Sequence, residues 1–345
     1  MAGITVDKAV AKDDLVIPLI DFAPFLSGDV SSKKSTAKAI LNGFQNAGFI
    51  YLKNHGIPPS DVSTIFANSA KFFARTQEQK DALSWYSPEA NRGYTAQGRE
   101  KTTDLEERGD IEALRKAVPD LKESLEIGKE GEPGMPNMWP PTEGDEDAKV
   151  FKEVMLKFHD TCKDLHTQIM RAIALGMGID ESWFDGFTDG GDNTLRLLHY
   201  PGVSKSVFKR DDGQLQVRAG EHSDYGSITL LFQDSRGGLQ VRSPKGTFVD
   251  ATPIPDTIVI NAGDLLSRWA NDTIKSTKHR VVEPPPKPED EGLDAYPPRY
   301  SVAYFCNPNF ERMIEAIPGT YEQTGKKYEG IKSGDYLVRR LTATY

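Results

Sequence analysis

Two hydrophobic periods divide the chain. Up to about residue 190, apolar residues recur mainly every three or four positions, the spacing that lays one stripe along a helix. Beyond it they alternate with polar residues, as on a half-buried strand. The clearest helical stretch runs from about 147 to 176. Its apolar residues include Phe151, Met155, Phe158, Cys162, Leu165 and Ile169, and Gly176 and Gly178 can end it. Residues 36–47 predict another helix, closed by Gly48, and residues 60–83 a further one. Short strands are expected at 17–22 and 49–52. After residue 190, short runs fall between turn residues at 194–200, 215–219, 227–233, 238–242, 257–261, 279–283 and 299–305, a spacing that suits a sandwich or barrel. The proline-rich run 284–292 cannot supply ladder donors and is expected as a surface loop between two strands. No fixed repeat argues for a solenoid. The expected organisation is a mainly helical region over 1–190, a β core over 191–310 and a helical extension over 311–345, an α+β chain.

Composition narrows the class without choosing a chemistry. The 345 residues are 38% hydrophobic and 27% charged, which is globular, and the longest apolar runs are a few residues, too short for a bilayer. The N-terminus lacks a basic start followed by an apolar stretch, so no secretory signal is expected. Cys162 and Cys306 are the only cysteines and cannot make a disulfide framework; a reducing cytoplasm is the expected compartment. A net charge of -9 is a poor electrostatic footprint for nucleic acid. The partner to expect is a small molecule, with no nucleic acid, membrane or obligate protein partner inferred.

Six histidines can be weighed singly. His55 lies at a strand end before a turn and reads as structural. His159 and His166 are two helical turns apart, about 10 Å, too far to share an ion, and read as solvated or helix-packing residues. His199 and Tyr200 fall on opposite faces of one strand. His222 differs. In Gly220-Glu221-His222-Ser223-Asp224, extended backbone turns His222 and Asp224 to one side, and His279 begins a later strand. Two imidazoles and a carboxylate on one face of an ion leave three positions open, the arrangement of non-haem Fe(II) sites that take substrate, co-substrate and O2.

The second feature is cationic. Arg299, Ser301, Ala303 and Phe305 share one strand face, so Arg299 points among apolar neighbours and requires an anion. A structural salt bridge would satisfy it. So would a small carboxylate, captured by the guanidinium and the Ser301 hydroxyl with help from Tyr200.

His222-x-Asp224, His279 fifty-five residues beyond that aspartate, and Arg299-x-Ser301 together resemble the Fe(II)- and 2-oxoglutarate-dependent dioxygenases of the isopenicillin N synthase-like group. The stretches 17–22, 47–51 and 55–57 are similar to that family's N-terminal region, and Asn261-Ala262-Gly263-Asp264 to its turn before the distal histidine. The resemblance implies a distorted double-stranded β-helix, or jelly roll, with the helical N-terminal region packed around it. It implies Fe(II) on His222, Asp224 and His279, and 2-oxoglutarate held at its far carboxylate by Arg299, Ser301 and Tyr200. O2 then converts the co-substrate to succinate and CO2 while a substrate C–H bond is oxidised, most often to an alcohol. The aspartate ligand argues against the halogenating relatives. An oxidase that does without 2-oxoglutarate keeps the same Arg-x-Ser pair, and desaturation or ring closure is also known in the group.

Within the family, Asn91-Arg92-Gly93-Tyr94, the run 195–201, the run 226–234 and the run 304–309 resemble the thymine dioxygenases, which oxidise the methyl group of thymine. That resemblance makes Arg196, Tyr225 and Phe305 substrate residues. It also aligns Lys245 with an asparagine of the thymine dioxygenases. Asparagine offers donor and acceptor, whereas lysine offers donors only, so Lys245 as a pocket residue counts against thymine; an exposed turn lysine is the alternative reading. The expected substrate is a small planar, nucleobase-like, or acidic molecule.

Overall fold

The computed structural model describes residues 7–101, 109–110, 117–209 and 215–344. Residues 1–6, the start of the N-terminal stretch weighed as a secretory signal, lie outside them. In chain order the strands used here are β1 Asp7–Lys12, β2 Leu15–Asp21, β3 Phe49–Lys53, β4 Gly93–Thr95, β5 Glu123–Gly128, β6 Thr194–Tyr200, β7 Val203–Ser204 and β8 Ala219–His222. They continue as β9 Ile228–Gln233, β10 Leu239–Arg242, β11 Phe248–Asp250, β12 Thr257–Ala262, β13 His279–Val281, β14 Ala295–Tyr296 and β15 Arg299–Cys306.

Nine strands form the major sheet in the order β1-β2-β3-β12-β9-β15-β6-β5-β4, and four form the minor sheet, β11-β10-β13-β8. Strand alternation decides what each face touches. On the major sheet, Leu195, Leu197, Leu230, Ile258, Ile260 and Val302 pack with the helices. Their neighbours Leu198, Tyr200, Val259 and Ala303 turn the other way and meet Ala219, Leu239, Val241 and Val281 of the minor sheet. The space between the sheets is the jelly-roll interior.

The long helix Glu146–Met177 packs its apolar stripe on the outer face of the major sheet and on the Val30–Asn46 helix. Its two glycines have separate jobs. Gly178, at φ 78°, is the left-handed cap that stops the helix. Gly176 lies inside it, where a Cβ would stand 2.7 Å from the Ala37 carbonyl oxygen, so it permits close helix contact. The stretch read as one helix over 60–83 is two. Pro59–Phe73 ends after the buried pair Phe72 and Phe73, and Thr76 caps a new helix, Gln77–Asp81, reciprocally with Gln79.

Two other expectations shift. The strand expected at 215–219 is Ala219–His222, because β8 and β13 pair with a bulge between His279 and Val281. β1, β4 and β5 carry no clean apolar alternation and were not expected. All six residues of β5 are buried, yet Glu123 and Glu126 are among them. Their partners Lys80, His199 and Arg196 come from distant parts of the chain. Among the described residues, no helix is long and apolar enough to cross a membrane.

Candidate active site

The pairing of β8 with β13 sets His222 directly opposite His279, with ring centroids 4.3 Å apart. Asp224 follows on the loop after β8. Its Oδ1 lies 3.7 Å from Nε2 of each histidine, and the three ligand atoms all fall within 4.8 Å of one another. Backbone contacts choose the tautomers. His222 Nδ1 donates to the Gly220 carbonyl at 2.8 Å, and His279 Nδ1 meets the Thr277 carbonyl at 3.3 Å, which leaves both Nε2 lone pairs facing the common point. Asp224 Oδ2 accepts from Thr229 Oγ1 and, at 2.7 Å, from Asn261 Nδ2, leaving Oδ1 turned to the same point as the two Nε2 atoms.

Electrostatics agree with that assignment. Burial and the neighbouring His279 push His222 down to about 4, so it is a neutral donor at neutral pH. Burial would raise the Asp224 carboxyl, but the two imidazoles and the hydrogen bonds from Asn261 and Thr229 hold it below its ordinary value. Two imidazoles and one carboxylate on one side of a point, with open cavity on the other, fit a facially bound Fe(II).

The loop carrying Asp224 is pinned by backbone bonds. Asp264 N donates to Asp224 O at 2.7 Å, Leu265 N to Tyr225 O at 3.1 Å, and Gly263 N to Ser227 O at 2.9 Å. That closeness needs glycine, since a Cβ on Gly263 would lie 2.4 Å from the Gly226 oxygen.

Arg299 begins β15 opposite Tyr200 of β6 and is 1% exposed. Its Nε donates to the Gly237 carbonyl at 2.9 Å, its Nη1 reaches Ser301 Oγ at 3.4 Å, and its guanidinium lies 4.7 Å over the Tyr200 ring. Among the described residues it has no acidic partner. A second buried guanidinium, Arg218, has no hydrogen-bond partner for its side chain either, and burial together with the charge of Arg299 pushes it down to about 10. Among the described residues, neither guanidinium is hydrogen-bonded to a carboxylate.

One cavity of about 340 Å³ joins these parts. Its walls include the His222, Asp224 and His279 group, the Arg299, Ser301 and Tyr200 group, and Arg196, Tyr225 and Phe305. Lys245 is a correction. It sits in the turn between β10 and β11, its side chain is 57% exposed, and its Nζ pairs with Asp14 at 3.3 Å rather than lining the cavity. A turn lysine costs nothing when left in water, and the departure it represents carries no weight against thymine.

The remaining histidines take packing roles. His55 accepts from Ile57 N, His199 stacks on Tyr300 and pairs with Glu123, and His159 packs edge-on to Tyr304. His166 is fully buried, which removes the solvated reading for both helical histidines.

Several cavity residues escaped the sequence reading. Arg196 is held by Glu100 and by Glu126, whose Oε1 lies 2.6 Å from its Nε. Glu100 also binds Lys122 at 2.8 Å, and these cations bring it to about 2 against the effect of burial. Gly334, Leu337, Val338 and Leu341 of the C-terminal helix Ser333–Thr344 close one side. Arg340 of that helix lies 4.6 Å over the Tyr225 ring. The period-two series Lys122, Ser124, Glu126, leading into β5, was the available signal. Its charges disguised it as loop.

Two family models match parts of the chain. Residues 191–308 match the 2OG-Fe(II) oxygenase superfamily, and residues 17–142 match the N-terminal region described as non-haem dioxygenase in morphine synthesis. The 2-oxoglutarate-Fe(II) type oxidoreductase ppzD of Metarhizium rileyi is 34% identical over 94% of this chain and 90% of its own length. The chain belongs to the 2OG-Fe(II) oxygenase superfamily. Among solved structures, Neurospora crassa thymine 7-hydroxylase with alpha-KG is 61% identical, with a TM-score of 0.89, covering 98% of this chain and 100% of that one. The same enzyme has been solved with alpha-KG and thymine, at 62% identity and a TM-score of 0.89 over the same shares, and with alpha-KG and 5-formyluracil, at 58% identity. The protein is therefore a 2-oxoglutarate-dependent dioxygenase of the jelly-roll fold with iron, 2-oxoglutarate and O2 as its reagents.

Proposed function

We propose that this oxygenase hydroxylates the methyl group of thymine. The reaction consumes one 2-oxoglutarate and one O2; one oxygen atom enters the methyl C–H bond and the other the succinate released with CO2. The observation that carries this reading is the 62% identity, across 98% of this chain, to the Neurospora enzyme solved with alpha-KG and thymine. The cavity supports it independently. Arg196 is already paired with two carboxylates, so it has little charge left to offer an acidic substrate, and a neutral planar molecule suits the site better.

Iron held by His222, Asp224 and His279 would supply the O2 activation. The chain does the rest by placement. Arg299 and Ser301, with the Tyr200 ring beneath the guanidinium, take the far carboxylate of 2-oxoglutarate and so aim its keto-acid end at the triad. Phe305 and Tyr225 supply aromatic surface for a flat ring, and Arg196 donates to its carbonyl edge. The C-terminal helix narrows the mouth and limits water around the reacting methyl group.

Succinate release tests the proposal. Thymine, out of a panel of nucleobases and small acids, should raise the rate well above the rate with no substrate, with one succinate formed per hydroxymethylated base. A panel in which a small acid stimulates and thymine does not would overturn it.

A further inference from the structure

Salt bridges among the described residues form a ladder that runs to the cavity. Lys101 pairs with Asp120 at 2.7 Å, Asp120 lies 3.9 Å from Lys122, Lys122 binds Glu100 at 2.8 Å, Glu100 binds Arg196, and Arg196 Nε lies 2.6 Å from Glu126. Charges alternate along it, with Lys101, Lys122 and Arg196 against Asp120, Glu100 and Glu126. The last is different. Glu126 is 1% exposed; Ser124 Oγ donates to its Oε1 at 2.8 Å, and its Oε2 has no hydrogen-bond partner. Glu126 lines the cavity, on the β5 position directly opposite Arg196 of β6.

A buried carboxylate oxygen without a donor carries a desolvation cost that a ligand N–H would relieve. The other cavity acceptor in this condition, Asn307 Oδ1, is turned against the protein, since a Cβ on Gly226 would lie 2.4 Å from it. Glu126 also supplies what Lys245 could not, an acceptor beside a donor. Arg196 and Glu126 stand side by side, which matches the adjoining C=O and N–H of an imide edge.

We propose that Glu126 is the acceptor for a ring N–H of the substrate and fixes its orientation, an assignment that rests on the thymine reading above. The ladder holds the acceptor in place before the substrate arrives, so little ordering cost falls on binding. In this role Glu126 selects bases that keep a free N–H next to a carbonyl.

The test compares thymine with its N1-methyl and N3-methyl derivatives, by succinate release, in the unmodified protein and in Glu126→Leu. The unmodified protein should lose about ten-fold or more in kcat/KM on one of the two methylated bases, the loss expected for a hydrogen bond to a charged group. Glu126→Leu should lose a similar factor on thymine and distinguish thymine from that derivative by less than about three-fold. Glu126→Gln, which keeps the shape and one acceptor oxygen, should fall between the two. Equal use of all three bases by the unmodified protein overturns the assignment without any variant, as does a discrimination ratio unchanged in Glu126→Leu. No thymine-dependent succinate from the unmodified protein is a separate result that overturns the thymine reading itself.

Discussion

Arg299 shows how one residue's surroundings state its purpose. A guanidinium at 1% exposure whose partners among the described residues are a carbonyl, a hydroxyl and the Tyr200 ring is incomplete until an anion arrives. Arg299→Leu should therefore weaken 2-oxoglutarate binding by at least about ten-fold, since losing the charged partner of a desolvated carboxylate costs roughly 2–5 kcal/mol. Iron affinity should hardly change, because no triad contact passes through Arg299. Superimposable 2-oxoglutarate titrations for the variant and its parent would remove Arg299 from the clamp. The triad itself and the Arg-x-Ser pair were legible in the sequence, since each lies within a strand or loop whose alternation fixes the facing side. Asn261 and Thr229, which turn the right oxygen of Asp224 to the metal point, were not assigned roles, because their function exists only where β9 and β12 come beside the loop.

Gly176 belongs to the scale of elements. Spacing alone makes it a helix terminator, but the structure makes it a contact between the Glu146–Met177 and Val30–Asn46 helices. Two effects compete in Gly176→Ala. Alanine gains about 1 kcal/mol of helix propensity. Its methyl group would stand 2.7 Å from the Ala37 carbonyl oxygen, and backbone must move to admit it; overpacking of this kind costs about 1–3 kcal/mol. The clash should win or at least cancel the gain. A denaturant midpoint for Gly176→Ala clearly above the parent's would show that the helices can part freely. β5 teaches the converse lesson. A strand of six buried residues escaped the hydrophobic pattern because Glu123 and Glu126 are made tolerable only by Lys80, His199 and Arg196, none of them near in sequence.

For the whole molecule, the buried histidine of the long helix links stability to pH. Burial, followed by the nearby Lys163 charge, pushes His166 down to about 3, well below its ordinary 6.5. The unfolded chain therefore takes up a proton that the folded one refuses. The stability due to a neutral His166 is fully present above pH 6.5 and is lost progressively as pH falls towards 3. At pH 5 the loss is about 2 kcal/mol, from roughly 1.4 kcal/mol per pH unit below the unfolded value. Denaturation of His166→Leu at pH 7 and pH 5 should show a smaller difference between the two than the parent shows. Parallel pH dependences would place the acid sensitivity elsewhere.

Sequence by itself determined the periods of the helices and strands, the shared facing of His222 and Asp224, and the shared strand face of Arg299 and Ser301. These follow from spacing within a few residues, where backbone geometry is nearly fixed. Only the tertiary structure decided that His222 and His279 form a cross-strand pair, that Lys245 stays in solvent, and that the C-terminal helix walls the cavity. It also joined Lys101, Asp120, Lys122, Glu100, Arg196 and Glu126 into one ladder. A charge in a strand reads as exposed until its partner is known. Here the partners arrive from as far as 96 residues away, and only the pairing of β5 with β6 sets Glu126 directly opposite Arg196.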